Sequence, residues 1–510
     1  MPDFDVRSVA VIGAGPGGLA ALYELLHTSR DGRSSVGGEK SSDPCFTNVV
    51  AFEQKPSIGG LWAPTNFHRD PGFPPQEILD SERYNDPDVI DPKKQCPKEL
   101  DKTSPDNPLT KKVDEGKMLD WDGSGVFPEL FSNVPSRFMR FSYIPNENGY
   151  LNRNRLIYPF VTLSEINTRL STFVEREGLS QHVRLRSKVE DVSKNLQGKW
   201  TLTIREKCEK DGVEKWYKDE FDAVILAVGH YCVPHIPLIK GLSDFNKVNP
   251  GILMHAKAFR SREIFRNKKV LIMGSNLSST NLLQYSVPLA SQTFISKRGS
   301  NTLFPWIDRA VQSKGILMKP GIKEINALDG EITFADDSKE KDFDLIVLAT
   351  GYHYHYPFMN GIVKTSAASH SSRVEGFYYN TFFIEDPTLA AVGVTVSPIT
   401  FHSIEASAAA ICGVWSNSKR LPSKDEQREW EIRRIQETGD SIRFHYYFPR
   451  DIKEKFFDEI FRFSPQGRYH PFKNEAVHLS EVDDGVNSIE NLFYKLKDKQ
   501  VGVEETYNFH

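Results

Sequence analysis

Short continuous aliphatic runs, rather than alternating ones, predict the strands of this chain. They lie at residues 8–12, 49–52, 223–228, 270–273 and 344–349. Parallel strands that are covered by helices on both faces have this pattern. Two of the runs lead directly into a Gly- or Ser-rich loop and then into a helical pattern, the first over residues 19–26. The sequence therefore predicts an α/β fold with two dinucleotide-binding, Rossmann-like domains.

Polar segments interrupt this pattern. Residues 28–46 are rich in Ser, Gly and charge, and residues 69–120 contain 8 Pro and 22 charged residues in 52 positions. A segment so poor in apolar side chains is expected to be a long surface excursion or partly disordered. The extension after about residue 422 is charged as well, but it has enough aromatic residues for docked helices.

Composition and charge exclude several classes of protein. The 510 residues predict two to four domains, and the net charge of −4 gives no electrostatic reason to expect a nucleic acid as partner. The five cysteines form no C-x-x-C pair, so we expect neither a disulfide framework nor a metal site. Reduced thiols are typical of a cytoplasmic protein. No apolar run reaches about 18 residues, the length that predicts a transmembrane helix.

The first Gly-rich loop has the G-x-G-x-x-G pattern after a strand and before a helix. Its residues are Gly13, Gly15, Pro16, Gly17 and Gly18. In this setting the glycines permit a tight turn, a close approach to a pyrophosphate and close helix packing, and the helix N-terminus favours an anion. The alternative is a Gly-rich turn in an unrelated fold. Glu53, at the end of the second aliphatic run, is the expected acceptor for a ribose, and the polar insertion explains its distance of 40 residues from Gly13.

Several further segments resemble one family, the flavin-containing monooxygenases. They are I-G-G-L-W at 58–62, N-V-P-S-R-F-M at 133–139, V-I-L-A-V-G-H at 224–230, G-I-L-M-H-A-K-A-F at 251–259 and L-A-T-G-Y at 348–352. Their order and spacing hold from about residue 6 to about residue 420. The resemblance implies an NADP domain (232–344) inserted in an FAD domain (1–231 and 345–510). The further cofactor-binding residues that it implies are Gly60, Leu61, Trp62, Met139, Val189, Thr350 and Gly351.

The second nucleotide loop departs from the family pattern. It runs through Gly274, Ser275, Asn276, Ser278 and Ser279. The family has a small residue at position 276, where the Cβ of Asn would crowd a pyrophosphate. Weak or altered NADP binding is therefore one expectation.

Two cations end the strand that follows the second loop. Lys297 and Arg298 stand where no Asp or Glu occurs, and this suits the 2′-phosphate of NADPH. Arg298 is the main candidate, because a guanidinium can engage a phosphate through two hydrogen bonds. The alternative is a solvated charge pair.

The resemblance also implies the chemistry. NADPH would reduce FAD, O2 would form a C4a-hydroperoxyflavin, and the sulfur or nitrogen of a small molecule would take up one oxygen atom, as in an N,N-dimethylaniline monooxygenase. Asn133 matches the active-site Asn of the family and is the expected catalytic residue, against an Asx turn ahead of Pro135 as the alternative. The resemblance leaves a homodimer open.

Two other functions stay open at this point. One is a Baeyer–Villiger or other specialised natural-product oxygenase, although Phe259 stands where Baeyer–Villiger enzymes tend to carry Trp. The other is a degenerate FAD-binding oxidase with weak NADP binding. The unusual Asn249 and Asn276 motivate this second alternative.

Overall fold

The computed structural model describes residues 4–63, 72–113, 121, 123–145, 152–208, 212–365 and 373–506. The strands are β1 Ser8–Ile12, β2 Asn48–Phe52, β3 Leu109–Lys112, β4 Val183–Arg184, β5 Ser187–Lys194, β6 Trp200–Cys208, β7 Val213–Phe221, β8 Ala223–Leu226, β9 Val233–Pro234, β10 Leu253–His255, β11 Lys269–Met273, β12 Gln292–Ser296, β13 Ile316–Lys319, β14 Ile322–Ile325, β15 Ile332–Phe334, β16 Lys339–Glu340, β17 Leu345–Leu348, β18 Tyr352–His353, β19 Phe377–Tyr378, β20 Phe382–Phe383 and β21 Leu389–Ala391. The α-helices are α1 Pro16–Leu26, α2 Gln76–Leu79, α3 Pro87–Ile90, α4 Leu163–Arg176, α5 Leu242–Val248, α6 Leu277–Ser286, α7 Pro305–Val311, α8 Thr400–Trp415, α9 Lys424–Thr438, α10 Pro449–Ile452, α11 Asp458–Ile460 and α12 Ser480–Lys497.

A seven-stranded sheet has the order β19-β20-β21-β8-β1-β2-β4. Strands β21, β8, β1, β2 and β4 are parallel to one another, as the aliphatic runs predict. Side chains of β1 alternate between two cores. Val9 and Val11 pack with α1 and α8 on one face, whereas Ala10 and Ile12 face the other way.

The second face of this sheet differs from the prediction, because a sheet covers it in place of helices. Strands β5, β6 and β7 form an antiparallel sheet with β3 at its edge. Its buried residues Trp200, Leu202 and Phe221 pack against Ile12 and Leu226. The aliphatic pattern predicts that both faces are buried, but it does not distinguish a helix from a sheet as the cover.

A second, five-stranded sheet is parallel throughout, with the order β10-β17-β11-β12-β13. Helices α6, α7 and α12 bury one face of it. Strand β17 pairs with both β10 and β11, although the predicted end of the NADP domain, at residue 344, falls just before this strand. We therefore propose that the inserted domain extends through Leu348.

The polar insertion at 69–120 has a structural role that its composition hides. In its described part, Leu79, Tyr84 and Ile90 are buried against the second face of the five-stranded sheet, beside Leu242 and Phe245 of α5. The Tyr84 hydroxyl donates to the Ile239 carbonyl oxygen at 3.1 Å. Residues 72–113 run along the surface with few buried side chains, and a few well-spaced apolar residues suffice to dock this otherwise polar segment.

The C-terminal extension is anchored by a buried cation. Arg468 is fully buried, and its guanidinium pairs with Glu24 of α1 at 2.8 Å and with Glu405 of α8. Two carboxylates share one guanidinium, and burial raises the pKa of Glu24 to about 7 although Arg468 opposes this shift. Glu405 is thus part of a buried ion-pair network.

No helix among the described residues has the length and apolar character needed to cross a membrane.

Replacing Arg468 with Met should lower the free energy of unfolding by about 3–5 kcal/mol, because two buried carboxylates lose their cation. The loss should be larger at pH 8 than at pH 5. Without the cation, burial holds the pKa of Glu24 above its wild-type value of about 7, so between pH 5 and pH 8 the stability of the variant falls further than that of the wild type. Urea denaturation at both pH values measures this difference.

Arg450→Met is the matched control, since the Arg450 side chain is 82% exposed. Its effect should stay within about 0.5 kcal/mol. An equal effect of the two substitutions would show that the buried network does not anchor the extension.

Candidate functional site

One large cleft, of about 1110 Å³, lies where the carboxyl ends of strands from both parallel sheets converge. Ligands of α/β proteins bind at such strand ends. All predicted site residues line this cleft except Gly18 and Ser279. Those two lie behind the first turn of their helices, where Ser279 is fully buried and a Cβ on Gly18 would come within 1.9 Å of the Gly13 carbonyl oxygen. The fold therefore brings both nucleotide loops to one cavity.

The geometry of the first loop fits a dinucleotide. Gly13 has φ +104°, and a Cβ there would lie 2.5 Å from the Ala227 carbonyl oxygen. Gly15 caps α1 without any side-chain hydrogen bond, and Pro16 begins the helix, which starts three residues earlier than the helical pattern predicts. The N-terminus of α1 is thus open to an anion. Gly60 lies so close to the first loop that a Cβ on it would be 2.9 Å from the Gly15 Cα.

Glu53 lies beside this loop and is almost fully buried. Its carboxylate accepts hydrogen bonds from the backbone N–H groups of Ala14, at 2.8 Å, and of Lys55, at 3.0 Å. Burial raises the pKa of Glu53. Each carboxylate oxygen has a second lone pair, so both keep acceptor capacity for a ribose. Together with Gly13 and Gly15, Glu53 forms a cradle that fits a dinucleotide such as FAD.

The second loop begins like the first, but it ends differently. Gly274 has φ +127°, and a Cβ there would lie 2.3 Å from the Ala349 carbonyl oxygen. Asn276 has φ −129°, an extended backbone conformation that any residue can adopt. Its side chain accepts the Leu277 N–H at 2.9 Å, and the Ser279 hydroxyl accepts the Asn276 N–H at 3.0 Å. The protein's own amide therefore caps α6, and a pyrophosphate would have to displace it.

The two cations after the second loop have different environments. Lys297 is ion-paired with Asp308 of α7, which also accepts the Asn301 N–H at 3.0 Å. The sequence places no acidic residue at this strand end, but the tertiary structure supplies one. Arg298 is exposed in the cleft and is the better candidate for a phosphate. Arg443, which sequence reasoning missed, lines the same cleft and donates to the Thr302 hydroxyl at 2.6 Å.

Asn133 is exposed on the cleft wall, between backbone segments that are well anchored. The Ser132 N–H donates to the Val161 carbonyl oxygen, and the Ser136 N–H donates to the Pro159 carbonyl oxygen, both at 2.7 Å. The amide of Asn133 forms no hydrogen bond with the described part of the chain. An Asx turn toward Pro135 is ruled out, because proline has no N–H to donate.

Residues of the segments 251–259 and 348–352 form hydrogen bonds at the junction between the two parallel sheets. His255 donates from Nε2 to the Gly351 carbonyl oxygen at 3.1 Å, and it accepts the Lys257 N–H on Nδ1. Burial lowers the pKa of His255 to about 3, so the ring is neutral. Thr350 donates to the His235 carbonyl oxygen at 2.5 Å. Phe259 is buried in the core and packs edge-on against Phe127.

Lys257 is a buried cation that the sequence patterns did not single out. Its ammonium donates to the carbonyl oxygens of Trp121, at 2.9 Å, and Gly123, at 2.6 Å. The following Ser124 hydroxyl donates to the Leu61 carbonyl oxygen. A chain of contacts thus connects the second sheet to the glycine segment beside the first loop.

Comparison with known proteins identifies the family. Residues 122–315 and 307–456 match the family described as FMO-like, Flavin-binding monooxygenase-like. The chain belongs to this family. Its members use FAD and NADPH. The match begins after the first Gly-rich loop and ends before α12, so both of these segments lie outside the matched residues.

Individual relatives cover most of the chain. It is 24% identical to the flavin-containing monooxygenase ustF2 of Aspergillus flavus, over 86% of this chain and 88% of that protein. It is 25% identical to the trimethylamine monooxygenase of Pelagibacter sp. (strain HTCC7211), over 82% and 78%. The solved structure of S-allyl-L-cysteine S-oxygenase from Allium sativum aligns with a TM-score of 0.66 and 24% identity, covering 98% of this chain and 99% of that one.

Replacing Asn276 with Gly should tighten NADP+ binding about threefold to tenfold, the equivalent of one ordinary hydrogen bond, ~1 kcal/mol. The substitution removes the side-chain oxygen that occupies the N-terminus of α6, and glycine is nearly as good an N-cap. Calorimetric titration of the FAD-loaded protein with NADP+ measures the dissociation constant.

Asn267→Gly is the matched control, because Asn267 has φ +59°, which glycine adopts readily, and lies outside the cleft. It should leave NADP+ binding unchanged. Unchanged or weaker binding in Asn276→Gly would show that the cap does not compete with the nucleotide.

Proposed function

We propose that this flavin monooxygenase uses NADPH and O2 to oxygenate the sulfur or nitrogen of a small molecule. The observation that supports this most is that the two nucleotide loops and Asn133 open onto one cleft. In the overall reaction, NADPH gives a hydride, one oxygen atom of O2 forms the new S–O or N–O bond, and the other leaves as water after taking up protons.

In this proposal, different residues of the cleft would bind the two cofactors and orient the reacting oxygen. Bound FAD supplies the oxygen activation. The open N-terminus of α1 and Glu53 hold the FAD pyrophosphate and ribose, and Arg298 holds the 2′-phosphate of NADPH. Asn133 can donate and accept hydrogen bonds without titrating, so it can orient a reacting oxygen at any physiological pH.

Names of relatives support both kinds of acceptor atom. The trimethylamine monooxygenase is named for an amine, and the S-allyl-L-cysteine S-oxygenase for a sulfide. A soft nucleophile, sulfur or nitrogen, is therefore the substrate class that we propose.

One observation favours a second candidate, an FAD-dependent oxidase that uses NADP poorly. The side chain of Asn276 caps the helix on which the NADP pyrophosphate would sit. This candidate predicts bound yellow flavin that NADPH bleaches slowly under anaerobic conditions. Rapid bleaching by NADPH would exclude it and support the monooxygenase.

Replacing Asn133 with Ala should uncouple the reaction. NADPH oxidation continues, but the oxygenated product per NADPH falls about tenfold and H2O2 rises, because the oxygen is no longer held by the amide. Parallel assays of NADPH, peroxide and sulfoxide or N-oxide measure this ratio. Asn154→Ala, on the surface, should leave the ratio unchanged. Full coupling in Asn133→Ala would contradict the proposed role.

Replacing Arg298 with Ala should weaken NADPH about tenfold while NADH is affected little, since only NADPH has the 2′-phosphate. Flavin reduction, followed anaerobically against the concentration of each nucleotide, separates the two cases. Arg433→Ala, on α9 and away from the cleft, serves as the control. An equal loss with both nucleotides would assign Arg298 to a general structural role.

A further inference from the structure

The C-terminal helix α12 connects the two halves of the cleft. At its start, Glu481 pairs with Arg137 at 3.1 Å, just after the Asn133 segment. Farther along, Glu490 accepts two hydrogen bonds from Arg309 of α7. The apolar face of its second half, which includes Leu492, packs into the core of the five-stranded sheet.

Two valines one helical turn apart on α12 line the cleft. Val482 is buried with the core of the seven-stranded sheet, whereas Val486 is half-buried against the core of the five-stranded sheet. Between them, Gly485 touches the Asn133 segment so closely that a Cβ would lie 2.9 Å from Pro135 Cγ. The valines are therefore held beside the segment that contains Asn133.

The wall around Val486 is uncharged. The described lining residues from segment 130–135 and from α12 are Leu130, Phe131, Ser132, Asn133, Val134, Pro135, Val482 and Val486. None of them is charged, and most are apolar. The cations that line the cleft, such as Arg298 and Arg443, belong to other segments. A charged substituent placed against this wall would lose its hydration without a partner.

We propose that α12 forms the substrate wall of this enzyme and that Val486 sets the size of the apolar, uncharged substituent that a sulfide or amine carries beside the reacting atom. This inference rests on the proposed function. It assigns a specificity role to a helix outside the residues that match the family.

The test uses the FAD-loaded full-length protein and three sulfides. Methyl phenyl sulfide is apolar, 4-(methylthio)benzoate adds a charge, and dimethyl sulfide is smaller. The wild-type protein should prefer methyl phenyl sulfide to the benzoate about tenfold in kcat/KM. Val486→Phe should lower kcat/KM for methyl phenyl sulfide about tenfold and leave kcat/KM for dimethyl sulfide unchanged. The introduced phenylalanine ring takes up the space beside position 486 that the phenyl group of the larger sulfide needs.

Val486→Ala is the second variant and should shift the ratio the other way, toward the larger sulfide. Flavin absorbance of each purified variant reports whether the cleft has formed. Val477→Phe, in the same extension but with Val477 77% exposed, should leave all three sulfides unaffected. Equal changes for the large and small sulfide, or no change in either Val486 variant, would overturn the inference.

Calorimetric binding of the same sulfides separates the two proposals. If the wild-type protein binds methyl phenyl sulfide but forms no sulfoxide, S-oxygenation fails, and the binding ratios of the Val486 variants still decide the role of α12. Absence of binding to every uncharged sulfide, or tighter binding of the benzoate, would overturn the inference about the wall.

Discussion

The close contact between each nucleotide loop and the end of a neighbouring parallel strand determines the geometry of the whole site. Gly13 meets the Ala227 carbonyl oxygen, and Gly274 meets the Ala349 carbonyl oxygen, at distances that leave no room for a Cβ. Because the loops cannot move away from these strand ends, the following helices α1 and α6 begin at fixed places on the rim of the cleft. The positions of the residues in the two loops follow from these two contacts.

The same contact supports two different helix ends. In α1 the third loop position is Gly15, and its helix N-terminus is left open. In α6 the corresponding position is Asn276, whose side chain already satisfies backbone donors that an anion would use. The two loops, although alike at their first glycine, would thus bind a nucleotide differently. The N-terminus of α1 is open to an anion, whereas at α6 an internal hydrogen bond must be exchanged for a new one.

Polar segments of this chain complete the hydrophobic cores. The described part of the insertion, 72–113, helps to cover one face of the five-stranded sheet with Leu79, Tyr84 and Ile90, and α12 helps α6 and α7 to cover the other. Arg468 then fixes the extension that leads to α12 by pairing with carboxylates of α1 and α8. The polar insertion and the charged extension are therefore long polar connections, within which a few apolar residues dock.

Local sequence determined the parallel strands, both Gly-rich loops and the family, because these depend on the backbone needs of a few adjacent residues. Glycine at 13 and 274 and continuous aliphatic strands are visible without any tertiary contact. Only the tertiary structure decided which polar groups were already satisfied and which segments lined the cleft. Asp308 of α7 pairs with Lys297, and α12, from a distant part of the chain, places Gly485 against Pro135 and Val486 on the cleft wall. Neither arrangement has a recognisable sequence pattern, since a valine on a helix and an aspartate some residues after a lysine are common in many sequences.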